Sequence, residues 1–202
     1  MRATATLMSE HRIIERVIAC LEAATDQVRE GGAVDAETFT SAIEFFRRFA
    51  DGCHHKKEEE ELFPLLERLG VPREEGPIGV MLDEHVSGRE HVRGMSEALA
   101  GATAGDPTAR RNLVGHALGY AGLLRAHIQK EDRVLFHMAD QIIDPADEAA
   151  LEAAFERIGG EVGAREHARL LRVAEDLGAR WGVEAVARRH GGGCGCSCGH
   201  HP

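Results

Sequence analysis

Residues 54–63 of this chain are echoed at residues 127–136. His54-x-x-x-Glu58 is followed by Leu62-Phe63, and His127-x-x-x-Glu131 by Leu135-Phe136, at identical offsets. Residues four apart share a helix face, so each pair presents an imidazole and a carboxylate in one direction. A second pair of segments matches in the same way: Leu7-Met8-Ser9-Glu10-His11 and Met81-Leu82-Asp83-Glu84-His85. The order along the chain is therefore His, His-x-x-x-Glu, His, His-x-x-x-Glu. Such pseudo-twofold order is what two adjacent metals with bridging carboxylates require.

Four apolar stripes at helical spacing carry these residues. The first predicts a helix over about 7–29, with Leu7, Ile14, Ile18, Leu21 and Val28, ending at Gly31-Gly32. The second starts near Asp35, a good N-cap, carries Phe39, Ile43, Phe46, Ala50, Leu62 and Leu65, and stops before Gly70-Val71-Pro72. The third follows Pro77 with Ile78, Met81, Val92, Met95 and Leu99. The fourth opens at Asp106-Pro107, an N-cap followed by proline at the first helical position, and carries Leu113, Ala117, Tyr120, Leu124, Leu135 and Met138. Short connections make antiparallel neighbours, so the expected architecture is an all-α, up-down-up-down four-helix bundle over residues 1–143. Asp144-Pro145 starts one further packing helix, expected to run to about Leu177 within a region 144–189. From His190 glycine is too dense for regular structure, which predicts a flexible Gly/Cys/His tail over 190–202.

Each stripe has a gap, and each gap holds a histidine: His11, His54, His85 and His127. Counted from the helix ends, these histidines fall at similar heights, with Glu58 and Glu131 one turn further on their helices. One histidine on an apolar stripe is more often a hydrogen-bonded core residue than a ligand. Two glutamates in the same layer change that balance, because a carboxylate is rarely buried unless it is paired or coordinates metal. Imidazole with carboxylate suits iron, manganese or zinc, and the layer contains no thiolate. Two shared glutamates and six or more ligands favour a dinuclear centre over a single zinc.

Composition excludes several alternatives. The net charge of −10 argues against a nucleic-acid partner. No run of eighteen apolar residues is present, so no membrane span is expected. Residues 1–10 lack the apolar stretch of a signal peptide, and five cysteines with no export signal argue against a disulfide framework. The expected compartment is the cytoplasm. Cys20 and Cys53 lie in helical patterns as small apolar residues. Cys194, Cys196, Cys198, His200 and His201 form an alternating pattern that is not a standard zinc spacing.

Glu10-His11, His54-His55-Lys56-Lys57-Glu58-Glu59, Glu84-His85-Val86-Ser87-Gly88-Arg89 and His127-Ile128-Gln129-Lys130-Glu131-Asp132 together resemble the hemerythrin-like, or HHE cation-binding, family over about residues 7–141. The resemblance implies a four-helix bundle around a non-haem di-iron centre. In it His11, His54, His85 and His127 would be ligands, and Glu58 and Glu131 would bridge two iron ions. Two departures stand out. Oxygen-carrying members have a second histidine where this chain has Arg89, and an aspartate five residues after the fourth-helix histidine where this chain has Glu131 at four. These departures put reversible oxygen carriage in doubt. His55 either supplies the missing ligand or faces solvent, and it is counted with the candidates.

The expected function is a metal-binding protein that senses or handles dioxygen, nitric oxide, peroxide or iron. A di-iron enzyme with peroxidase, catalase-like or nitric-oxide reductase activity is the alternative, and a metal-delivery protein using the Cys-rich tail is a third. Tyr120 reads as core packing, with donation to a metal-bound oxygen species as the alternative; Glu59, Glu60 and Glu61 read mostly as a solvated face, one of which can partner a ligand histidine. His91, His116, His137 and His167 fit no layer.

Overall fold

The computed structural model describes residues 2–183. Helix α1 spans Ala3–Arg29. The second rod begins as Ala36–Phe45, widens into π-helical turns over Phe46–His55 and Glu58–Leu62, and ends as Phe63–Arg68; residues 36–68 are termed α2. Helix α3 spans Pro77–Thr103. The fourth rod, α4, runs from Pro107–Lys130 through a π-helical turn at Glu131–Leu135 to Phe136–Ile142. Helices α5 and α6 are Pro145–Val162 and Ala164–Trp181. The described residues contain no strand.

The first four helices pack in a ring, each against the next and α4 against α1, which is the antiparallel bundle expected from the short connections. The start signals act as their chemistry dictates. Asp35 accepts from the Thr38 backbone N–H at 3.2 Å, Asp106 from Ala109 at 2.6 Å, and Asp144 from Ala146 and Asp147 at 2.8 and 2.9 Å. Pro77, Pro107 and Pro145 occupy first turns, where no N–H is missed.

Two expectations are corrected. Helix α1 begins four residues earlier than its apolar stripe, because its first turn is tied down: the Ala3 N–H donates to Glu148 at 2.5 Å and the Thr4 hydroxyl to Asp140 at 2.7 Å. The single helix expected after Asp144 is two helices. Gly163, at φ +83°, breaks it, and the second half turns to lie against α1 and α2. The expected tail, with its three cysteines, lies outside the described residues. Among those described, no helix is long and apolar enough to cross a membrane.

The core divides into two apolar clusters. The larger holds Ile14, Ile18, Leu21, Phe45, Phe46, Met95, Leu124 and Leu170; the smaller holds Leu7, Leu62, Phe63, Met81, Leu135 and Phe136. Every one of α1–α4 contributes to both, and between them each contributes a polar layer. That layer is the gap visible in the four stripes.

Candidate metal centre

His11, His54, His55, Glu58, His85, His127 and Glu131 are all buried, and the structure brings all seven together. They form two overlapping groups, His11, His54, Glu58 and Glu131, and His55, Glu58, His85 and His127. In each group one ligand-type atom from every residue lies within 4.8 Å of the others. Glu58 belongs to both: its Oε1 is 3.4 Å from His54 Nε2 and its Oε2 is 3.6 Å from His85 Nε2. Glu131 also stands between the groups, with Oε2 3.2 Å from both His11 Nε2 and His127 Nε2.

The π-helical turns explain how α2 delivers His54 and His55 together. The backbone N–H of Lys56 reaches back five residues to the Asp51 carbonyl, and Phe63 and Phe136 reach Glu58 and Glu131 in the same way. A wider turn holds more residues per revolution, so neighbours diverge less than in an α-helix and both imidazoles reach the interior. Solvent exposure, the other sequence reading for His55, is excluded: the residue is 4% accessible and its ring stacks on His85 with centroids 3.8 Å apart.

The inner faces of these residues are unsatisfied. Both oxygens of Glu58 and of Glu131, Nε2 of His11 and His54, and both ring nitrogens of His55 are buried without a hydrogen bond. Buried polar atoms of this kind need an explanation, and an ion is the one that suits eight of them converging on one layer. The oxygen and imidazole donors suit a borderline divalent metal such as iron.

The outer faces of His11, His54, His85 and His127 are, by contrast, engaged. Carboxylates can only accept, so each Nδ1 that meets one carries the proton and donates. His54 donates to Glu10 at 3.0 Å, His85 to Glu59 at 2.7 Å, His127 to Glu84 at 3.0 Å and His11 to Asp132 at 2.7 Å. These bonds link α1 to α2, α2 to α3, α3 to α4 and α4 to α1. They orient these four rings so that each Nε2 points inward. Cations hold the carboxylates in turn: Lys57 pairs with Glu10, Lys130 with Glu84, Arg89 with Glu59 at 2.6 Å and Arg12 with Asp132.

Residues 2–139 match the hemerythrin HHE cation binding domain. The chain belongs to the hemerythrin HHE cation-binding family. Uncharacterized proteins of Mycobacterium bovis and Mycobacterium tuberculosis are 25% identical over 161 residues, which cover 78% of this chain and 62% of theirs. No solved structure matches it significantly.

In this hemerythrin-family chain the titrating groups pull against one another. Burial and the charge of Glu131 push the Glu58 carboxyl well above its ordinary range. Burial acts the same way on Glu131, but His127 and His11 outweigh it and hold that carboxyl well below. Burial and His11 bring His54 down to about 4, whereas Glu131 and Glu84 overcome burial at His127 and raise it to about 9. Burial and its imidazole neighbours, His85 first, keep His55 far down and neutral. The two glutamates cannot both ionise comfortably without added positive charge, which is the electrostatic counterpart of the unsatisfied atoms.

Of the partner residues, Glu59 is one of three glutamates the sequence offers for the role; Glu10, Glu84 and Asp132 are not among them. The signal was present, since each sits next to a candidate ligand, in Glu10-His11, Glu84-His85 and Glu131-Asp132. His91 and His116 meet each other, Nδ1 to Nδ1 at 3.3 Å, away from the layer. His137 donates to the Asp132 carbonyl at 2.8 Å, and His167 lies against Phe49 with centroids 5.6 Å apart.

Proposed function

We propose that this chain binds two iron ions and uses them to sense or handle dioxygen, nitric oxide or peroxide. The observation that carries the reading is the pair of four-residue groups sharing Glu58. His11 and His54 would serve one ion and His55, His85 and His127 the other, with Glu58 and Glu131 between them. His55 thus stands in for the histidine that Arg89 replaces. Bound iron supplies one-electron redox change and coordination positions for a small molecule. The chain's own part is to orient five imidazoles and to exclude bulk water with the two apolar clusters. It also pairs the outer carboxylates with Lys57, Lys130, Arg12 and Arg89.

We take residues 1–143 as the metal-binding unit, which the family match over 2–139 supports, and 144–189 as its outer packing. A reducing cytoplasm suits the free, buried Cys20 and Cys53. Elemental analysis of the purified protein beside its ultraviolet–visible spectrum is the test. About two irons per chain is expected, with spectral change when the reduced protein meets dioxygen, nitric oxide or peroxide. Zinc, or no metal in the layer, would sink the reading. A steady-state assay with peroxide or nitric oxide separates binding from turnover.

A further inference from the structure

Beside the metal layer, on the His55 side, lies a cavity of ≈ 200 Å³ open to solvent. It has room for roughly six or seven waters, which is too little for a drug-sized molecule and ample for a small one. Its inner wall includes Tyr120, which is 2% accessible and packs on Phe46 with ring centroids 4.5 Å apart. The Tyr120 hydroxyl makes no hydrogen bond with any described residue. Its oxygen is not among the sealed-off atoms left without a partner; the residue lines the cavity, where a ligand can accept from the hydroxyl. Burial and the negative charge of Asp51 keep the phenol protonated, so it is a donor.

The mouth is positive although the chain carries −10 overall. Arg47, Arg89 and Arg93 line the cavity with a single carboxylate, Asp51. Arg89 is already held by Asp51 at 2.7 Å and by Glu59 at 2.6 Å. Arg47 pairs with no carboxylate among the described residues, and Arg93 has only a 3.9 Å contact with Glu97 on open surface. Two guanidinium groups at the rim, one free hydroxyl donor inside and His55 at the wall make a funnel for negative charge.

We propose that this cavity is a binding site for a small oxyanion of carboxylate type, held between the Tyr120 hydroxyl and the guanidinium of Arg47 and adjoining the metal layer at His55. It rests on the di-iron reading only for what lies beyond His55; the recognition belongs to the cavity's own side chains. The carboxylate accepts from Tyr120 at depth and from Arg47 at the rim, and Gly88 leaves the space between them clear. A Cβ at Gly88 would meet Tyr120 at 3.6 Å and Leu123 at 3.9 Å, which is ordinary contact. Gly88→Ala therefore narrows the site without disturbing the fold.

The experiment is isothermal titration of the full chain, as purified and after metal removal, with sodium acetate and with neutral acetamide of nearly the same shape. Iron is measured on the same samples. One acetate per chain is expected, with acetamide about tenfold weaker or more. Arg47→Ala, on exposed surface, and Tyr120→Phe should each weaken acetate about tenfold, and Gly88→Ala should weaken it further than it weakens formate. Iron content should not change in any variant. Equal binding of acetate and acetamide overturns the proposal, as does wild-type affinity in both Arg47→Ala and Tyr120→Phe, or no acetate binding in either preparation. If iron is absent yet acetate binding depends on Arg47 and Tyr120, the site stands and the di-iron reading falls. If two irons are present and acetate binding is indifferent to both residues, the reverse holds.

Discussion

The α1/α2 hairpin and the α3/α4 hairpin are built to one plan and finished differently. His11 and His85 are 74 positions apart, and His54 and His127 are 73 apart. The same offsets relate Glu10 to Glu84, Lys57 to Lys130 and Glu59 to Asp132. In both hairpins the glutamate before the first histidine accepts from the second, and a lysine clamps that glutamate. Away from the layer the likeness stops. Helices α5 and α6 cover α1 and α2 and leave the outer side of α3 and α4 bare. Where α1 and α2 have Val17, Cys20, Ile43 and Phe46, all buried, α3 and α4 have His91, Gly94, His116 and Gly119. The histidine rings rest in the notches that these glycines leave on the facing helix. The layer is held to twofold order by chemistry that both halves must supply. The outer faces answer only to whether something covers them.

The largest expected effect tests the shared layer. Glu58→Ala removes both carboxylate oxygens, one from each group, so metal content should fall from about two per chain to well below one. The variant should also lose the thermal stabilisation that metal gives the parent protein. Retention of one full equivalent would mean that Glu58 serves one half alone. His55→Ala is the counterpart, because its equivalent is Ile128 and the twofold order has no second copy of it. Here about one equivalent should remain.

Next comes the covered face against the bare one. Leu170 of α6 is fully buried in the larger cluster, and Leu170→Ala should cost about 2–5 kcal/mol in denaturant unfolding. His116→Ala, on the bare face, should cost under about 1 kcal/mol. Similar costs would show that α6 is not what distinguishes the hairpins.

The layer's supports should differ in the same direction. Glu10→Gln and Glu84→Gln each remove a carboxylate behind a ligand imidazole and should weaken metal binding about 10- to 100-fold in competition with a chelator. Glu10→Gln should be the worse. It strands Lys57, which is buried and lies 5.8 Å from the Phe155 ring of α5, whereas Lys130 is 41% exposed and can turn to solvent. Equal losses would remove α5 from the account of the site.

Much of this was legible in the sequence because the physics was local. The four stripes, the Asp-Pro starts and the paired His-x-x-x-Glu spacings depend only on residues within a few turns, and they led to the bundle and to the polar layer between its clusters. His55 resisted the same reasoning: adjacent residues on a regular α-helix diverge, and only the π-helical turn from Phe46 to His55 lets both histidines face inward. Glu10, Glu84 and Asp132 were hidden for a different reason. Their partners lie 44, 43 and 121 residues away, so their role exists only once the ring of helices closes. The break at Gly163 is not marked in the sequence, because Gly159 and Gly160 just before it stay helical and glycine alone does not say which position breaks.

The last effect comes from Cys20, whose equivalent across the twofold, Gly94, has no side chain to titrate. Burial pushes the Cys20 thiol from 9.0 up to about 11. In the unfolded chain the thiol ionises near 9.0, so above that pH the unfolded state gains free energy that the folded state does not share. The stabilising contribution is whole below pH 9 and is lost as pH rises toward 11. At pH 10 the loss is about one pH unit's worth, ~1.4 kcal/mol. The stability gap between the parent protein and Cys20→Ala should therefore shrink by about that much between pH 8 and pH 10. Peptide-resolved alkylation of the native protein at pH 8 should leave Cys20 unmodified. A gap that stays constant, or rapid alkylation of Cys20, would mean that the covered face of α1 opens to solvent.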